Sequence, residues 1–466
     1  MFDRHLRDRA LASWRNLGSR GVRATLLVVV VVGGGARVAW VAHAGAPPRF
    51  ASDPEAYLLQ GETIARGEGY ANPLVDIENA IRRRHHETPL AAEPASFYPP
   101  GYPIFVAAVT WTVWHTPIPD GDLVRTIEYV QALLGALTIL FVFLIARRVF
   151  DPRVGLLAAA IVAMYPNLIA TTATLQFETV FIALLLATVL VLLPAATRPD
   201  EGRARLVVSG ALIGAIALIH PTITVLIVAF LAVRTTMRRP WRETIRDVAI
   251  LTVCAVLVIA PWTIRNAVRL HAFVPIATGA GPALCQSRNS EATGAIDLGV
   301  LDRQCAPKRV ASSFVSQEVA VNRYATSHAI RWVVTHPFAE LQMWWRRTDL
   351  AYRIDTSGLY APSLTGNARR TVTTLSNVVS LAVLALATLG AVVTLARRRH
   401  PAVIFFITAT VALAAVPIIL FGDPRYRVPA EPLFAVLAAA ALGAAIELVK
   451  PSRAPNSATS PESSPR

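Results

Sequence analysis

The chain has 466 residues, of which 54% are hydrophobic and only 16% charged, a balance that excludes an ordinary soluble domain and implies solvation largely by lipid. The formal charge of +15 would suit a nucleic-acid binder. The basic residues, however, cluster at the ends of apolar segments, so membrane topology accounts for most of the charge and no nucleic acid is expected.

Residues 24–44 form the first apolar run that meets the roughly 20 residues needed to cross the hydrocarbon core. Arg4, Arg7, Arg9, Arg15, Arg20 and Arg23 precede it, and the positive-inside bias places that end in the cytoplasm. A cleavable signal peptide is the competing reading, because Ala42-His43-Ala44 resembles a small-residue cleavage site. The apolar stretch exceeds the usual h-region of about 7–15 residues, which favours a retained anchor.

Residues 45–116 then form a first large outer loop, opened by Asp53 and Glu55. Its apolar stretch over 102–114 reads as an interfacial or re-entrant helix, since a full span there would put Arg147 and Arg148 on the wrong side. The run Arg82-Arg83-Arg84-His85-His86-Glu87 contains metal-competent side chains, but its spacing fits no defined site and a solvated basic loop is the better reading.

Spans over 124–146 and 154–172 surround Arg147 and Arg148, and 177–195 returns to the charged stretch 198–205. Residues 206–233 are too long for one crossing and break at His220-Pro221, so they read as two short spans. Residues 248–262 cross outward. A second large outer segment, 263–370, carries an amphipathic helix over 315–345 that ends in Trp344-Trp345-Arg346-Arg347. Tryptophan beside arginine is what a helix at the headgroup level presents to lipid, and a loop helix on the protein's own surface explains it equally. Spans over 372–396, 403–421 and 429–449 bring the count to ten with both termini cytoplasmic, before a Pro- and Ser-rich tail, 450–466, expected to be disordered.

Cys254 lies inside an apolar segment as a small packing residue. Cys285 and Cys305 share the second outer segment, where an oxidising compartment permits a bridge, although sequence does not give their separation.

Acids are kept out of membrane-embedded segments unless paired or functional, which singles out Asp53, Glu55 and Glu178 at the outer ends of spans. A positioned carboxylate can take the proton of an attacking hydroxyl. A phosphate leaving group calls for arginine or a metal nearby, and Arg265, Arg425 and Arg427 face the same side. Each feature alone has a plainer explanation: an aspartate after a span caps a helix, and an interfacial arginine snorkels to lipid.

Their order along the chain says more. It runs from Asp53 to Tyr57, through Ala65-Arg66-Gly67-Glu68-Gly69-Tyr70 and Tyr98-Pro99-Pro100-Gly101-Tyr102-Pro103, to Ala146-Arg147-Arg148-Val149-Phe150, Glu178, Pro261 to Asn266, and Arg425-Tyr426. This series resembles the GT-C superfamily of integral-membrane glycosyltransferases, which includes protein O-mannosyltransferases and lipid A aminoarabinose transferases. The resemblance implies an all-α polytopic membrane fold of about 10 transmembrane helices, with two large extracytoplasmic loops carrying interfacial helices and residues 1–449 forming one transferase domain. It implies transfer of a sugar, with inversion, from a polyprenyl-phosphate-linked donor to a hydroxyl of a glycan, lipid or protein acceptor. The setting would be the outer face of a bacterial inner membrane. Asp53 would be the base and Glu178 a second acid lining the site. Glu55, Tyr57, Tyr102, Arg265, Asn266, Arg425, Tyr426 and Arg427 would bind substrate. No cofactor is specified, and a divalent cation is left open.

One departure stands out: relatives often place Arg or Lys before Pro at the break where this chain has His220-Pro221, which puts a lipid-phosphate contact there in doubt. A transporter or lipid flippase also needs many spans. No internal repeat is visible, however, and the acids lie at one face rather than near the midplane. A non-catalytic assembly partner of the same fold is a third reading.

Overall fold

A computed structural model describes residues 18–44, 52–91, 93–119, 122–198, 203–307, 313–353, 365–397 and 400–448. The expected disordered tail and most of the N-terminal arginines lie outside the described residues. The first half runs through α1 (Ser19–Ala44), α2 (Asp53–Ala65), α3 (Pro73–Arg84), α4 (Gly101–Trp114), α5 (Leu123–Val149), α6 (Pro152–Ala163), α7 (Pro166–Ala170), α8 (Glu178–Thr197), α9 (Arg203–Ala217) and α10 (Val225–Thr236). It continues with α11 (Trp241–Leu270), α12 (Ala280–Gln286), α13 (Leu298–Gln304), α14 (Phe314–Thr335), α15 (Pro337–Tyr352), α16 (Gly366–Arg397), α17 (Pro401–Ala414), α18 (Val416–Ile419) and α19 (Glu431–Leu448). Among the described residues the one β pairing is an isolated bridge between Ala71 and Pro94.

Among the described residues, seven helical segments are long and apolar enough to cross a bilayer, and the bent pair α6–α7 makes an eighth if counted as one span. The sequence count of ten also includes the two halves around His220. The first of these, α9, has 15 residues, and Pro221–Thr236 is likewise a short apolar helix, so helix length alone does not make either a full crossing. At the centre lies α8, apolar around its whole circumference and buried along most of its length, the pattern of a helix enclosed by others. Much of α1 and α11 faces outward, with Leu27, Val31, Val256 and Leu257 exposed.

The expected span over 154–172 is not straight. It bends by 59° between α6 and α7, because Pro166 lacks an N–H and pushes Tyr165 into extended backbone. The carbonyls of Val162 and Ala163 at the end of α6 accept from the guanidinium of Arg37, at 3.0 and 3.1 Å. A fully buried arginine within α1 thus supplies donors where hydrocarbon cannot. Gly135 makes room for it: a Cβ there would stand 2.8 Å from the Arg37 Nε.

Outside the bundle, the two long connections clasp each other. The Glu318 carboxylate on α14 accepts from the Ser96 amide at 2.8 Å and the Thr278 hydroxyl at 2.7 Å, and Glu93 accepts from the Val315 amide at 3.1 Å. Cys285 and Cys305 form a disulfide with their Cα atoms 5.8 Å apart. The single amphipathic helix expected over 315–345 is two helices, α14 and α15, interrupted at His336-Pro337 by the helix-breaking proline.

The polarity of α15 is inverted relative to a helix on a soluble protein. Glu340, Arg347 and Ala351, spaced to lie on one face, are buried, while Phe338, Leu341 and Trp345 on the opposite face are 80%, 55% and 76% exposed. Charges turned inward and large apolar side chains turned outward suit a lipid surface, as expected of an interfacial helix. The inward face is an ion-pair triad in which Glu340 holds Arg347 at 2.8 Å and Arg288 at 3.0 Å. Those arginines also donate to the carbonyls of Ile418 and Ile419 at the end of α18, and the Ser287 hydroxyl donates to the Leu420 carbonyl. Cations at a helix C-terminus satisfy its free carbonyls. In this way the triad docks α15 on the segment that leads to Arg425.

Candidate active site

Three helix starts converge at one end of the bundle. Asp53 opens α2, Glu178 opens α8, and Arg425 lies in the 3-10 helix Pro424–Ala430 that precedes α19. The Arg425 guanidinium sits between the two acids. It donates to Asp53 Oδ2 at 3.2 Å and, through Nε, to Glu178 Oε1. It also lies 5.3 Å over the Phe177 ring. Asp423 sets the arginine's position locally by accepting from its backbone amide at 2.8 Å.

The two acids differ in environment: the Asp53 side chain is 44% exposed and that of Glu178 only 2%. A group that must receive a proton from an entering substrate needs the first environment. The second Glu178 oxygen is buried without a hydrogen-bond partner. Behind the pair, Phe177, Glu178, His220, Arg425 and Tyr426 line a cavity of only ≈ 10 Å³, room for about one water molecule.

The long connection after α1 presents Asp53 through a relay of tyrosines. Gly67 and Gly69 take positive φ angles of 77° and 86°, which side chains rarely tolerate, and so turn the chain back after α2. The turn delivers Tyr70, whose hydroxyl donates to the Tyr98 carbonyl at 2.9 Å and to Gln60 at 3.1 Å. Tyr98 in turn donates its hydroxyl to Asp53 Oδ1 at 2.7 Å. Burial, and next the Asp53 charge, push the Tyr57 and Tyr98 phenols well above their ordinary range, so both stay protonated. Tyr57 packs its ring 4.8 Å from Tyr98 and 5.0 Å from Tyr102. Tyr102 is buried and donates to Gln131 at 2.9 Å, beneath the site rather than open to it.

Gly101 explains why the Pro-Pro-Gly-Tyr-Pro stretch needs its glycine. Its amide donates to the Leu218 carbonyl at 2.7 Å, and a Cβ would lie 2.5 Å from the Ile219 side chain and 2.9 Å from its backbone nitrogen. The start of α4 is thereby seated on the break before His220. That histidine stacks on Phe177 with ring centroids 4.8 Å apart and bonds Thr222 at 2.8 Å.

Of the residues singled out in the sequence, Asp53, Glu178 and Arg425 meet directly, with Tyr57 and Tyr426 beside them. Tyr426 packs edge-on against Phe421, centroids 4.7 Å apart. Glu55 lies two residues beyond Asp53 in the first turn of α2, half-buried.

Arg265, Asn266 and Arg427 are engaged elsewhere by the protein itself. Arg265 donates to the carbonyls of Ala95 at 2.6 Å and Tyr70 at 2.7 Å, clamping both strands of the Ala71–Pro94 bridge, and lies 4.8 Å over Trp262. Asn266 is fully buried and donates to the Val274 carbonyl at 3.0 Å. Arg427 is buried between the Ala351 carbonyl at 2.7 Å and Glu431 at 3.5 Å. The stretch expected as a basic loop begins instead as the last turn of α3, where Arg82 pairs with Glu78 and Glu87, and His85 and His86 just beyond it are exposed. Among the described residues no three His, Cys, Asp or Glu side chains are grouped as a metal site.

Tyr98, Asp423 and Phe177 were not anticipated as site residues. Tyr98 opens the most specific motif of the sequence, a signal that could have found it. No local pattern marks the other two.

Fold and site together define an all-α polytopic membrane protein, with multiple apolar spans and an acid-arginine centre at one end of the bundle. Residues 104–264 match the family described as dolichyl-phosphate-mannose-protein mannosyltransferase. The fold is shared with the oligosaccharyltransferase of Archaeoglobus fulgidus in its apo form, at TM-score 0.53 and 15% identity, covering 94% of this chain and 51% of the other. It is shared also with the same organism's AglB oligosaccharyltransferase in complex with an inhibitory peptide and a dolichol-phosphate, at TM-score 0.54 and 17% identity, covering 92% and 50%. The chain thus spans about half the length of these proteins. No protein of curated function matches it by sequence.

Proposed function

We propose that this chain transfers a sugar from a polyprenyl-phosphate-linked donor to an acceptor hydroxyl, with Asp53 as general base. The observation that carries the reading is the meeting of Asp53 and Glu178 on Arg425, three residues from distant parts of the sequence. The fold shared with a protein solved with dolichol-phosphate supports a lipid-phosphate donor. The arginine clusters at the opposite helix ends support a site on the extracytoplasmic face of a bacterial inner membrane, with both termini cytoplasmic.

In this reading the donor phosphate takes Arg425 as its partner, since a guanidinium matches phosphate in charge and geometry. Asp53 is then released from its ion pair while still oriented by Tyr98. The acceptor oxygen attacks the anomeric carbon, Asp53 takes its proton, and the bond to phosphate breaks with the electron pair leaving on polyprenyl phosphate. A single displacement inverts the anomeric centre. Glu178, with one oxygen on Arg425 and one unpartnered, orients the acceptor or a bound cation.

The test is release of polyprenyl phosphate from polyprenyl-phosphate sugars by purified protein. Asp53→Asn, inserted normally, should be slower by about 10²–10⁴-fold, the usual contribution of a general base. Transfer at the wild-type rate by that variant would falsify the assignment. No release from any such donor by the wild type would instead favour a non-catalytic partner.

A further inference from the structure

At the end of the bundle opposite Asp53, a groove of ≈ 550 Å³ opens between α1, α5 and α6. Val22, Leu26 and Phe143 give it an apolar lining, and Arg23, Arg147 and Arg153, one from each helix, line it as well. One carboxylate, Asp151, also lines the groove, its Oδ1 capping α6 by accepting from the amides of Arg153 at 2.7 Å and Val154 at 3.1 Å, so three guanidinium groups stand against one acid there. From the groove, α1 leads into the membrane with Leu27, Val28 and Val31 65%, 60% and 63% exposed. The groove therefore joins a cluster of guanidinium groups to a lipid-facing apolar surface.

We propose that this groove binds the phosphate headgroup of an anionic glycerophospholipid, with its acyl chains along the outer face of α1. Guanidinium groups bind phosphate by charge-assisted hydrogen bonds. Basic pockets between transmembrane helices are sites for anionic headgroups, and the volume is that of a small-molecule site. The lipid bridges three helices and fastens α1 to α5 and α6. The site is independent of sugar transfer, since it lies at the far end of the molecule from Arg425.

The test uses the full chain purified in a neutral detergent, with thermal unfolding followed as phosphatidylglycerol, phosphatidylcholine or inorganic phosphate is added. Phosphatidylglycerol should raise Tm by about 3–6 °C, as a ligand of the folded state does, while phosphatidylcholine and inorganic phosphate leave it unchanged. Removing Arg23 and Arg147 together as Gln should weaken the phosphatidylglycerol response, about fivefold in apparent affinity for each arginine. Arg242→Gln, on exposed α11, should keep it. An unchanged response in the double variant, or an equal response to phosphatidylcholine, overturns the proposal. A shift with inorganic phosphate alone assigns the groove to a small anion instead. The wild type gives a check that needs no variant: a photoreactive phosphatidylglycerol should label residues within 19–26 and 143–153, and labelling confined to other segments also overturns it.

Discussion

Asp53 and Arg425 stand 372 positions apart in the chain, and their charged groups meet at 3.2 Å. The same arginine holds Glu178, so a single guanidinium neutralises one half-exposed and one buried carboxylate. Removing it exposes two different costs, one to chemistry and one to stability.

Arg425→Gln should therefore lower kcat/KM for the donor by about 10²-fold or more, as expected when a phosphate clamp is lost. It should also destabilise the fold by about 3–5 kcal/mol, because Glu178 is left as a buried charge without its partner. Adding Glu178→Gln should recover much of the stability and little of the activity. A thermal-unfolding double-mutant cycle checks this, and additive losses in stability would refute the coupling.

Tyr98→Phe keeps the ring that packs on Tyr57 and removes only the hydroxyl donated to Asp53. Loss of one hydrogen bond to a charged group, worth about 1.5–3 kcal/mol, should lower Tm correspondingly and slow turnover about 10- to 100-fold. Polyprenyl phosphate release measured beside the wild type decides it; an unaffected rate means the tyrosine does not hold the base in place.

Gly101→Ala adds one methyl where Ile219 allows none. Overpacking of this kind costs about 1–3 kcal/mol. The expected outcome is a lower Tm together with reduced activity, since α4 carries the motif that underlies Tyr57 and Tyr98. A variant indistinguishable from wild type in both would show that the 218–219 backbone can yield.

Arg265 separates a clamp from a substrate ligand. Because both of its carbonyl bonds go to the first outer loop, Arg265→Gln should loosen that loop. Limited proteolysis within residues 66–98 should accelerate, and kcat should fall with little change in the donor KM. A selective rise in donor KM would assign the arginine to phosphate binding instead.

Acid should weaken the docking of α15. Burial acts to raise the Glu340 carboxyl, but hydrogen bonding and charge from Arg347 and then Arg288 hold it below the ordinary 4.5. A depressed carboxylate contributes stability that is complete above its unfolded value and is lost as pH falls through the folded one. Tm should thus drop below pH 4.5 in the wild type, and Glu340→Gln should be less stable at pH 7 while losing less between pH 7 and pH 3.

Much of this was legible in the chain because membranes impose simple rules. Hydrocarbon demands long apolar helices, and α1, α5, α8, α11 and α16 were visible as such from composition alone. Asp53 and Glu178 could be picked out because acids are costly near the bilayer. The 59° bend at Tyr165-Pro166 was harder to read, because whether a proline breaks a span depends on what satisfies the freed carbonyls, here Arg37. The break of the outer amphipathic stretch at His336-Pro337 was likewise missed by a reading based on apolar content.

The arginines show the limit most clearly. Arg265, Arg425 and Arg427 have the same side chain and similar settings at helix ends, so sequence alone makes them equal candidates. Their roles depend on contacts across as many as 372 positions, which local pattern does not encode. By itself the sequence determined the membrane class and singled out the acids, since each follows from the local cost of placing a residue in lipid or water. Tertiary structure alone decided that Arg425 contacts both acids, that Arg265 and Arg427 bond backbone carbonyls of the chain itself, and that Tyr98 donates to Asp53. Those assignments depend on which donors and acceptors lie within about 3 Å of one another, and only packing fixes that.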